Sequence, residues 1–274
     1  MAYAVVSMFV HHGLTPYESV MHSVAMRWHA AQALMGLSIA ITLAEITRKL
    51  KNGLIRLSEI FFEWRYGIVS DGEIAGTELG FTENACHDYQ ATNYVRFRQL
   101  MKHIAVRQDT DVFLDFGSGM GRAVILAATY PFRKVIGVEL AIDLHKRASE
   151  NVRRAAKRLR CRDIELYNVD ARRFRIPPEV TVIYMWNPFA GEVLREVFTN
   201  IQKSIAEYPR LVTILYLAPM NPTALDAIKD GLPWLNEKRR TRLGPQSLAV
   251  FYTCGVAEAA AALPNALSAL AQIT

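Results

Sequence analysis

The sequence predicts an α/β protein built on a seven-stranded, mostly parallel sheet that ends in an antiparallel edge hairpin and follows an N-terminal helical region. Three observations predict this class. From residue 111 onward, short apolar runs alternate with helical stretches, the pattern of strand-helix-strand crossover units. The first apolar run leads directly into a glycine-rich bend. The last two runs stand too close together for an intervening helix, so they predict a hairpin.

Each strand is predicted from a short apolar run that is bounded by turn residues. Helices between consecutive strands would cover both faces of the sheet, as in Rossmann-like folds. The predicted strands are 112–116, 134–140, 164–170, 180–186, 210–218, 238–243 and 247–254, and the predicted helices are 94–104, 122–129, 142–159, 192–205 and 221–230.

The chain ahead of the sheet is apolar and helix-like over residues 1–62. We expect one or two amphipathic helices over 21–50 that end near Gly53, where basic residues precede the glycine. Four glycines over 66–81 then indicate a loop-rich segment. The predicted organisation is an N-terminal helical and loop region over 1–88, the sheet domain over 89–256, and an Ala-rich tail over 257–274.

The composition is that of a globular protein, with 274 residues, 51% of them hydrophobic, and a formal charge of +6. A charge of this size permits an acidic partner but by itself argues only for solubility and steering. The cysteines, Cys86, Cys161 and Cys254, are far apart and match no metal-ligand or disulfide spacing. We therefore expect reduced thiols in a cytoplasmic protein and no metal site.

Residues 30–44 carry no charge and raise the question of membrane contact. The run is shorter than the ~18–20 residues that a spanning helix requires, and it includes Gln32, Ser38 and Thr42. No basic residue precedes the apolar start of the chain, so a secretory signal is not expected. A packing helix, a membrane-surface helix and a spanning helix stay open, with peripheral membrane contact through residues 1–60 as one hypothesis.

The glycine-rich bend predicts the ligand site. Asp115 ends the first strand, and Gly117, Gly119 and Gly121 turn the chain into the next helix. Glycines permit positive φ and let a ligand lie against the backbone, and ligands of open parallel sheets bind at the carboxyl ends of the strands. Glu139 ends the second strand, where its carboxylate can accept hydrogen bonds from the hydroxyls of a ribose.

Two cofactors compete for this bend. A nicotinamide dinucleotide requires G-x-G-x-x-G, but the third position of that motif is Arg122 and the glycine falls one residue early, at Gly121. The spacing D-x-G-x-G-x-G suits S-adenosylmethionine, whose cationic methionine end can face Asp115 where a phosphate would be repelled. Glu139 could bind the ribose of either cofactor, so this residue does not distinguish between them. The bend therefore favours S-adenosylmethionine and disfavours a nicotinamide oxidoreductase.

Four motifs in chain order resemble those of class I S-adenosylmethionine-dependent methyltransferases. They are 115–122, Glu139, "NVDA" at 168–171 and "WNPF" at 186–189, and the resemblance covers roughly 89–254. More narrowly, these motifs and the upstream "EWRYGIVSDGEI" and "YQATNYVRFRQLM" are similar to bacterial methyltransferase-domain proteins related to non-SET histone-lysine methyltransferases. The resemblance implies methyl transfer by direct displacement.

The resemblance also implies roles for single residues. Asp170 and Ala171 would flank the adenine ring, and Tyr89 would lie on a loop that closes over the methionine end. Asp170 equally fits an Asx turn, and Arg122 equally fits pairing with an acid or covering a helix terminus. The predicted cofactor-binding residues are Asp115, Gly117, Ser118, Gly119, Gly121, Arg122, Glu139, Leu140, Asp170, Ala171 and Asn187.

Asn187, Pro188 and Phe189 end the fourth strand and are predicted, with Tyr89, to form the catalytic set. The Asn187 side-chain oxygen could accept hydrogens from an amine while the nitrogen lone pair points at the methyl carbon. A strand-terminating Asn-Pro turn is the structural alternative. Enzymes that methylate adenine or glutamine typically show N-P-P-aromatic, whereas one proline stands here, which argues against a nucleobase or amide acceptor.

The sequence thus predicts a methyltransferase for a nitrogen or oxygen nucleophile, with a protein amine or a small molecule favoured as the acceptor. The basic stretch 145–175 lacks interleaved aromatics, so we expect a solvated helix face rather than a nucleic-acid partner. A non-catalytic adaptor of the same fold, which binds a partner or a membrane surface through the N-terminal helices, is the alternative function. The intact Asn187–Phe189 segment favours the enzyme.

Overall fold

The computed structural model of the chain describes residues 16–79, 87–219, 232–244 and 247–255. The predicted helix at 221–230 and the predicted tail at 257–274 lie outside these residues, as does Cys86. The described elements are α1 Pro16–Tyr66, β1 Glu73–Ile74, β2 Tyr89–Gln90, α2 Tyr94–Met101, β3 Val112–Phe116, α3 Arg122–Ala128, β4 Lys134–Glu139, α4 Ile142–Ala155, β5 Ile164–Asn168, β6 Val180–Trp186, α5 Gly191–Glu207, β7 Val212–Pro219, β8 Asn236–Gly244 and β9 Ser247–Cys254.

The large sheet of the described chain has seven strands in the order β5-β4-β3-β6-β7-β9-β8. The strands from β5 to β7 pair in parallel, whereas β9 runs antiparallel to both β7 and β8. The predicted Rossmann-like sheet with an antiparallel edge hairpin is therefore confirmed. The chain order reverses between β3 and β6, so the carboxyl ends of these strands flank the crevice where such sheets bind ligands.

Side chains of the central strand β3 alternate between two apolar layers, because successive residues of a strand point to opposite faces. Leu114 and Phe116 lie in one buried cluster with residues of α5, and Phe113 lies in the other with residues of α3. All five residues of β3 are buried. Helices cover both faces of the strand, which explains why its sequence reads as a continuous apolar run.

The first helix is longer than predicted. We expected it to end near Gly53, but α1 continues without a break to Tyr66. A glycine inside a helix costs only about 1 kcal/mol, and no proline lies between Pro16 and Tyr66 to stop the helix. The prediction of a helix end at this glycine was therefore wrong.

The chain divides into two compact units, Met1–Leu57 and Ser58–Thr274. The domain boundaries predicted from the sequence, at residues 88 and 256, stay predictions. In the first unit, every described side chain from residue 20 to residue 50 is exposed. Residues 20–66 form the one described helix that is long and apolar enough to cross a membrane by length and composition.

The second unit begins at Ser58, within the last turns of α1. Phe62 is buried there, together with Ile68 in the segment that follows the helix. The short strands β1 and β2 then pair antiparallel, with Ile74 opposite Tyr89. This ribbon brings Tyr89 toward the end of β3, as described below.

Candidate functional site

The bend after β3 has the backbone conformation that its glycines predict. Gly117, Gly119 and Gly121 all have positive φ, between 54° and 79°, which side chains rarely tolerate. The amides of Gly117 and Ser118 donate to the Val138 carbonyl at 2.9 and 3.0 Å, so the bend is fixed to the end of β4. The predicted loop thus lies at the carboxyl edge of two neighbouring strands.

The Glu139 carboxylate is held against this bend by backbone donors. Its Oε2 accepts from the Gly119 amide at 2.8 Å, and its Oε1 accepts from the Ala141 amide at 2.8 Å. Burial raises the pKa of Glu139, and the amides of Ala141 and Gly119 oppose that shift. Each carboxylate oxygen can accept a further hydrogen bond, so the predicted ribose contact fits this geometry.

Asp115 lies in the interior at the end of β3, with 2% of its surface exposed. Burial raises the pKa of its carboxyl well above the usual range, and the nearby Glu139 carboxylate raises that pKa further. No cationic group in the described part of the chain opposes either effect. A buried carboxyl group of this kind fits a ligand that brings its own positive charge, as S-adenosylmethionine does with its sulfonium and ammonium groups.

The end of β5 is organised around the backbone of β4. Asn168 donates through Nδ2 to the carbonyls of Glu139 and Leu140 at 2.9 and 2.8 Å, and the Leu140 side chain is exposed at this edge. Asp170 accepts from the Arg172 amide at 2.9 Å, which is the Asx turn that the sequence left open. The Arg172 guanidinium also pairs with Asp170 and lowers its pKa.

Ala171 is buried in the core cluster beside this turn. Its placement and that of Asp170 beside the ends of β4 and β5 keep the predicted adenine contacts possible. The Arg172 pair means that an adenine amine would share the Asp170 carboxylate with a guanidinium. These two adenine contacts stay predictions.

Arg122 is engaged by protein groups on all sides. Its guanidinium pairs with Glu59 and with Glu63 at 2.9 Å, and its Nε donates to the Ser70 hydroxyl at 2.8 Å. Only 3% of the arginine is exposed. Of the roles considered for Arg122, the structure shows pairing with acids. Since its donors are occupied by Glu59, Glu63 and Ser70, the predicted cofactor contact has no support in this geometry.

Tyr89 packs directly on the glycine bend. A Cβ placed on Gly119 would lie 2.3 Å from Tyr89 Cε2, so this glycine leaves room for the ring. The Tyr89 hydroxyl donates to the Ser70 carbonyl at 2.6 Å, and burial raises its pKa. The structure thus brings Tyr89 to the bend, although its hydroxyl is anchored to the protein and its predicted catalytic role stays a prediction.

Asn187 follows β6 with a positive φ of 40°, an uncommon conformation for a residue other than glycine. Its Oδ1 accepts a hydrogen bond of 3.0 Å from the Tyr216 hydroxyl on the neighbouring strand β7. A Cβ on Gly117 would lie 2.6 Å from Pro188 Cβ, so the Asn-Pro segment abuts the glycine bend. Phe189 is buried in the core below it.

Sequence reasoning missed the residues that position this site. Tyr216 reaches Asn187 because it pairs with Met185 in the sheet, and strand order is not readable from an apolar run. Glu59, Glu63 and Ser70 reach Arg122 from more than 50 positions upstream. The i, i+4 spacing of the two glutamates was a signal that they share one helix face, but nothing in the sequence identified the partner.

Comparisons with known proteins add three findings. A Drosophila melanogaster histone-lysine N-methyltransferase specific for lysine 79 of histone H3 is 39% identical over 54 residues, which are 19% of this chain and 3% of that protein. This chain thus spans a small fraction of the length of that relative.

Among solved structures, an S-adenosylmethionine-dependent methyltransferase from Aquifex aeolicus is 14% identical with a TM-score of 0.48, over 58% of this chain and 89% of that one. An RNA methyltransferase from Salinibacter ruber, in complex with S-adenosyl-L-homocysteine, is 23% identical with a TM-score of 0.42, over 59% and 90%.

The family model for the histone methylation protein DOT1 matches residues 81–224, more than half of the 274 residues. The match includes the glycine bend, Glu139, the β5 turn and the Asn187–Phe189 segment. The chain therefore belongs to the DOT1 family, and it has the sheet topology and the motifs in which it resembles class I S-adenosylmethionine-dependent methyltransferases.

Proposed function

We propose that the protein methylates the side-chain amine of lysine in another protein. The observation that carries the proposal is the position of Asn187, which follows β6 and abuts the glycine bend, in a chain whose family is named for histone methylation. The Drosophila relative is specific for a histone lysine. We carry over only the chemistry of that acceptor, an amine on a flexible side chain, and not the identity of the substrate protein.

When bound, S-adenosylmethionine would supply an activated methyl group: the lone pair of a neutral amine would form the new N–C bond as the C–S bond breaks, the C–S electron pair would remain on an uncharged thioether, and the methylated nitrogen would release a proton to solvent. The buried Asp115 carboxylate would hold the cationic end of that cofactor, and the Glu139 oxygens would accept hydrogen bonds from its ribose. The fixed glycine bend holds both groups in place before the cofactor arrives. The contribution of these residues is alignment and the exclusion of water.

Asn187 would orient the acceptor. Its Oδ1 accepts one hydrogen bond from Tyr216, which fixes the amide, and the same oxygen can accept a second from an amine N–H. An amine held in this way keeps its lone pair free to point away from the amide. Pro188 is partly exposed and would supply an apolar surface against which the methylene groups of a lysine side chain can pack, whereas Phe189 is buried in the core and supports the segment from below.

The test is a transfer assay with S-adenosylmethionine that carries a radiolabelled methyl group, incubated separately with cell protein, nucleic acid and small metabolites. We expect label in the protein fraction and methyl-lysine after complete hydrolysis. Asn187→Ala should reduce transfer by about 100-fold and leave cofactor affinity within about threefold, since the side chain acts on the acceptor. Tyr216→Phe removes only the hydroxyl that fixes Asn187. Its rate of methyl transfer should lie between those of the wild-type protein and the Asn187→Ala variant.

Label confined to nucleic acid or metabolites would contradict the proposal for the acceptor. Unchanged transfer by Asn187→Ala would remove its mechanistic basis. If the wild-type protein binds the cofactor but labels nothing, the non-catalytic adaptor becomes the better account.

A further inference from the structure

We propose that the first unit of the chain is a lipid-binding element, in which residues 28–44 of α1 insert into the hydrocarbon of a bilayer. The proposal does not depend on the methyl acceptor. Among the residues that the structure describes, no protein surface covers the apolar side chains of this part of the helix. The large exposed apolar residues of the segment are Trp28, Leu34, Met35, Leu37, Ile39, Ile41 and Leu43.

The apolar side chains surround the helix instead of forming one stripe. At 3.6 residues per turn, positions 34, 35, 37, 39, 41 and 43 are distributed over most of the circumference. A helix that lies on a protein or on a membrane surface keeps a polar face toward water. Residues 33–44 have no such face, because their remaining positions are Ala, Gly, Ser38 and Thr42. In the turns before them, His29 and Gln32 lie between apolar positions and do not extend into a continuous polar face.

The hydroxyl groups within the segment fit an apolar surrounding. The Thr42 hydroxyl donates to the Ser38 carbonyl at 2.9 Å, one helical turn back. Thr47, just beyond the segment, makes the same bond to the Leu43 carbonyl at 2.7 Å. Internal bonds of this kind are how hydroxyl side chains are accommodated where water cannot serve as a partner.

Length and flanking charges also fit a bilayer. The run from Trp28 to Ala44 contains no Asp, Glu, Lys or Arg and would span about 25 Å, somewhat less than the ~30 Å of a hydrocarbon core. Long basic side chains next to such a run can reach the headgroups and offset the mismatch. Arg27 flanks one end, and Arg48 and Lys49 flank the other, all three exposed.

The charge beyond the run favours lipid over a protein partner. Residues 45–56 contain four basic residues, Arg48, Lys49, Lys51 and Arg56, and one acid, Glu45. Glu45 lies 3.7 Å from Arg48 and 3.5 Å from Lys49, so its charge is partly neutralised. A basic group directly after an apolar helix is attracted to anionic headgroups. Charge complementarity thus identifies an anionic bilayer as the occupant.

The experiment uses the full chain, synthesised in a cell-free system with vesicles of phosphatidylcholine and phosphatidylglycerol. The vesicles are floated on a density gradient and then washed with high salt and with alkaline carbonate. We expect the wild-type protein to float and to resist both washes. Leu37→Lys with Ile41→Lys should lower the floated fraction about tenfold, because charges at the centre of an inserted helix are strongly disfavoured.

The matched control is Leu50→Lys with Leu54→Lys, which adds the same charges to exposed positions outside the run and should float like the wild type. Retained binding of S-adenosylmethionine by each variant shows that the second unit has folded. The proposal is overturned if the wild-type protein stays in solution, if salt or carbonate removes it from the vesicles, or if the two double variants float equally.

Discussion

At the scale of single residues, Asp115 shows how the site trades stability for ligand binding. Its carboxyl group is buried beside a second carboxylate, and both burial and Glu139 raise its pKa. A buried charge without a partner destabilises the folded state. A cationic ligand would provide that partner, so the destabilisation belongs to the ligand-free protein and is relieved when the cofactor binds.

Replacement of Asp115 with Asn tests this trade. Without the buried acid, the ligand-free protein should unfold about 2–4 °C higher, equivalent to ~1 kcal/mol for a chain of this size. Its affinity for S-adenosylmethionine should fall at least about tenfold, since the carboxylate no longer faces the cation. Thermal unfolding and calorimetric titration in mild detergent measure the two effects.

The direction in which stability changes with pH also tests the raised pKa of Asp115. A carboxyl group whose pKa is raised on folding binds its proton more tightly in the folded state, so ligand-free stability should increase as pH falls from that raised pKa toward the usual pKa of an aspartate, and should decrease as pH rises through the same range. The Asn variant should lose this part of the slope. Asp143→Asn, an exposed acid on α4, serves as the control and should change neither stability nor affinity. Unchanged cofactor affinity in Asp115→Asn would contradict the assignment.

Single residues also show what the sequence could predict. The ends of strands are readable from apolar runs, so Asp115, Glu139 and Asn187 could be placed at one edge of the sheet before the structure was known. The role of Arg122 could not be predicted from the sequence, because its partners Glu59 and Glu63 are about 60 positions away. Local motifs identify a cofactor, whereas buried pairs depend on how distant segments pack.

At the scale of elements, the glycine bend and the β1–β2 ribbon form one packed unit. The Tyr89 ring of β2 occupies the space that a side chain at Gly119 would need, and its hydroxyl is bonded to the Ser70 carbonyl. The bend is therefore shaped from outside by an aromatic ring as well as by its own glycines. The β1–β2 ribbon, which precedes the large sheet in the sequence, thus contributes to the shape of the glycine bend.

Gly119→Ala tests this packing. The new methyl group would meet the Tyr89 ring, and φ at this position is 54°, so both sterics and backbone strain oppose the substitution. We expect a loss of about 2–4 kcal/mol in the free energy of unfolding and at least a tenfold loss of cofactor affinity. Chemical denaturation and calorimetry give the two values.

The control for that substitution is Gly53→Ala in α1, where a Cβ meets nothing within 4 Å. This variant should be neutral or more stable by up to about 1 kcal/mol, because alanine favours a helix. An unaltered Gly119→Ala protein would mean that Tyr89 does not pack on the bend. The element scale also shows where pattern reasoning fails: glycine predicted a break at Gly53, yet one glycine is too weak a signal to end a helix.

At the scale of the whole molecule, Arg122 connects segments that are remote in sequence. It opens the helix that follows the glycine bend, and it pairs with Glu59 and Glu63 in the last turns of α1. Glu63 also accepts from the Ser70 amide at 2.8 Å, and Glu59 accepts from the Tyr94 amide at 2.8 Å. The cluster therefore connects the last turns of α1 with α3, the helix that follows the glycine bend.

A buried cluster of this kind is best tested by unbalancing its charge. Glu59→Gln with Glu63→Gln removes the two closest anionic partners of the buried Arg122 guanidinium and leaves the exposed Asp71 carboxylate at 3.7 Å. Breaking buried pairs in this way costs ~3–5 kcal/mol, and a solvent-exposed acid compensates little of that loss. Cofactor affinity should fall as well, because Arg122 directly follows Gly121 of the bend. Chemical denaturation and calorimetry on the full chain in detergent give both quantities.

Adding Arg122→Met to that double variant removes the stranded charge, and a methionine can fill most of the space that the arginine leaves. We therefore expect the triple variant to be more stable than the double variant by about 2 kcal/mol or more. Glu207→Gln, which breaks the exposed pair with Arg175, should change stability by less than about 1 kcal/mol. If the triple variant is as unstable as the double variant, then weaker hydrogen bonds from the Ser70 and Tyr94 amides to residues 63 and 59, and not the loss of carboxylates around Arg122, account for the effect. In that case, hydrogen bonds and not charge pairing would hold the end of α1 against α3.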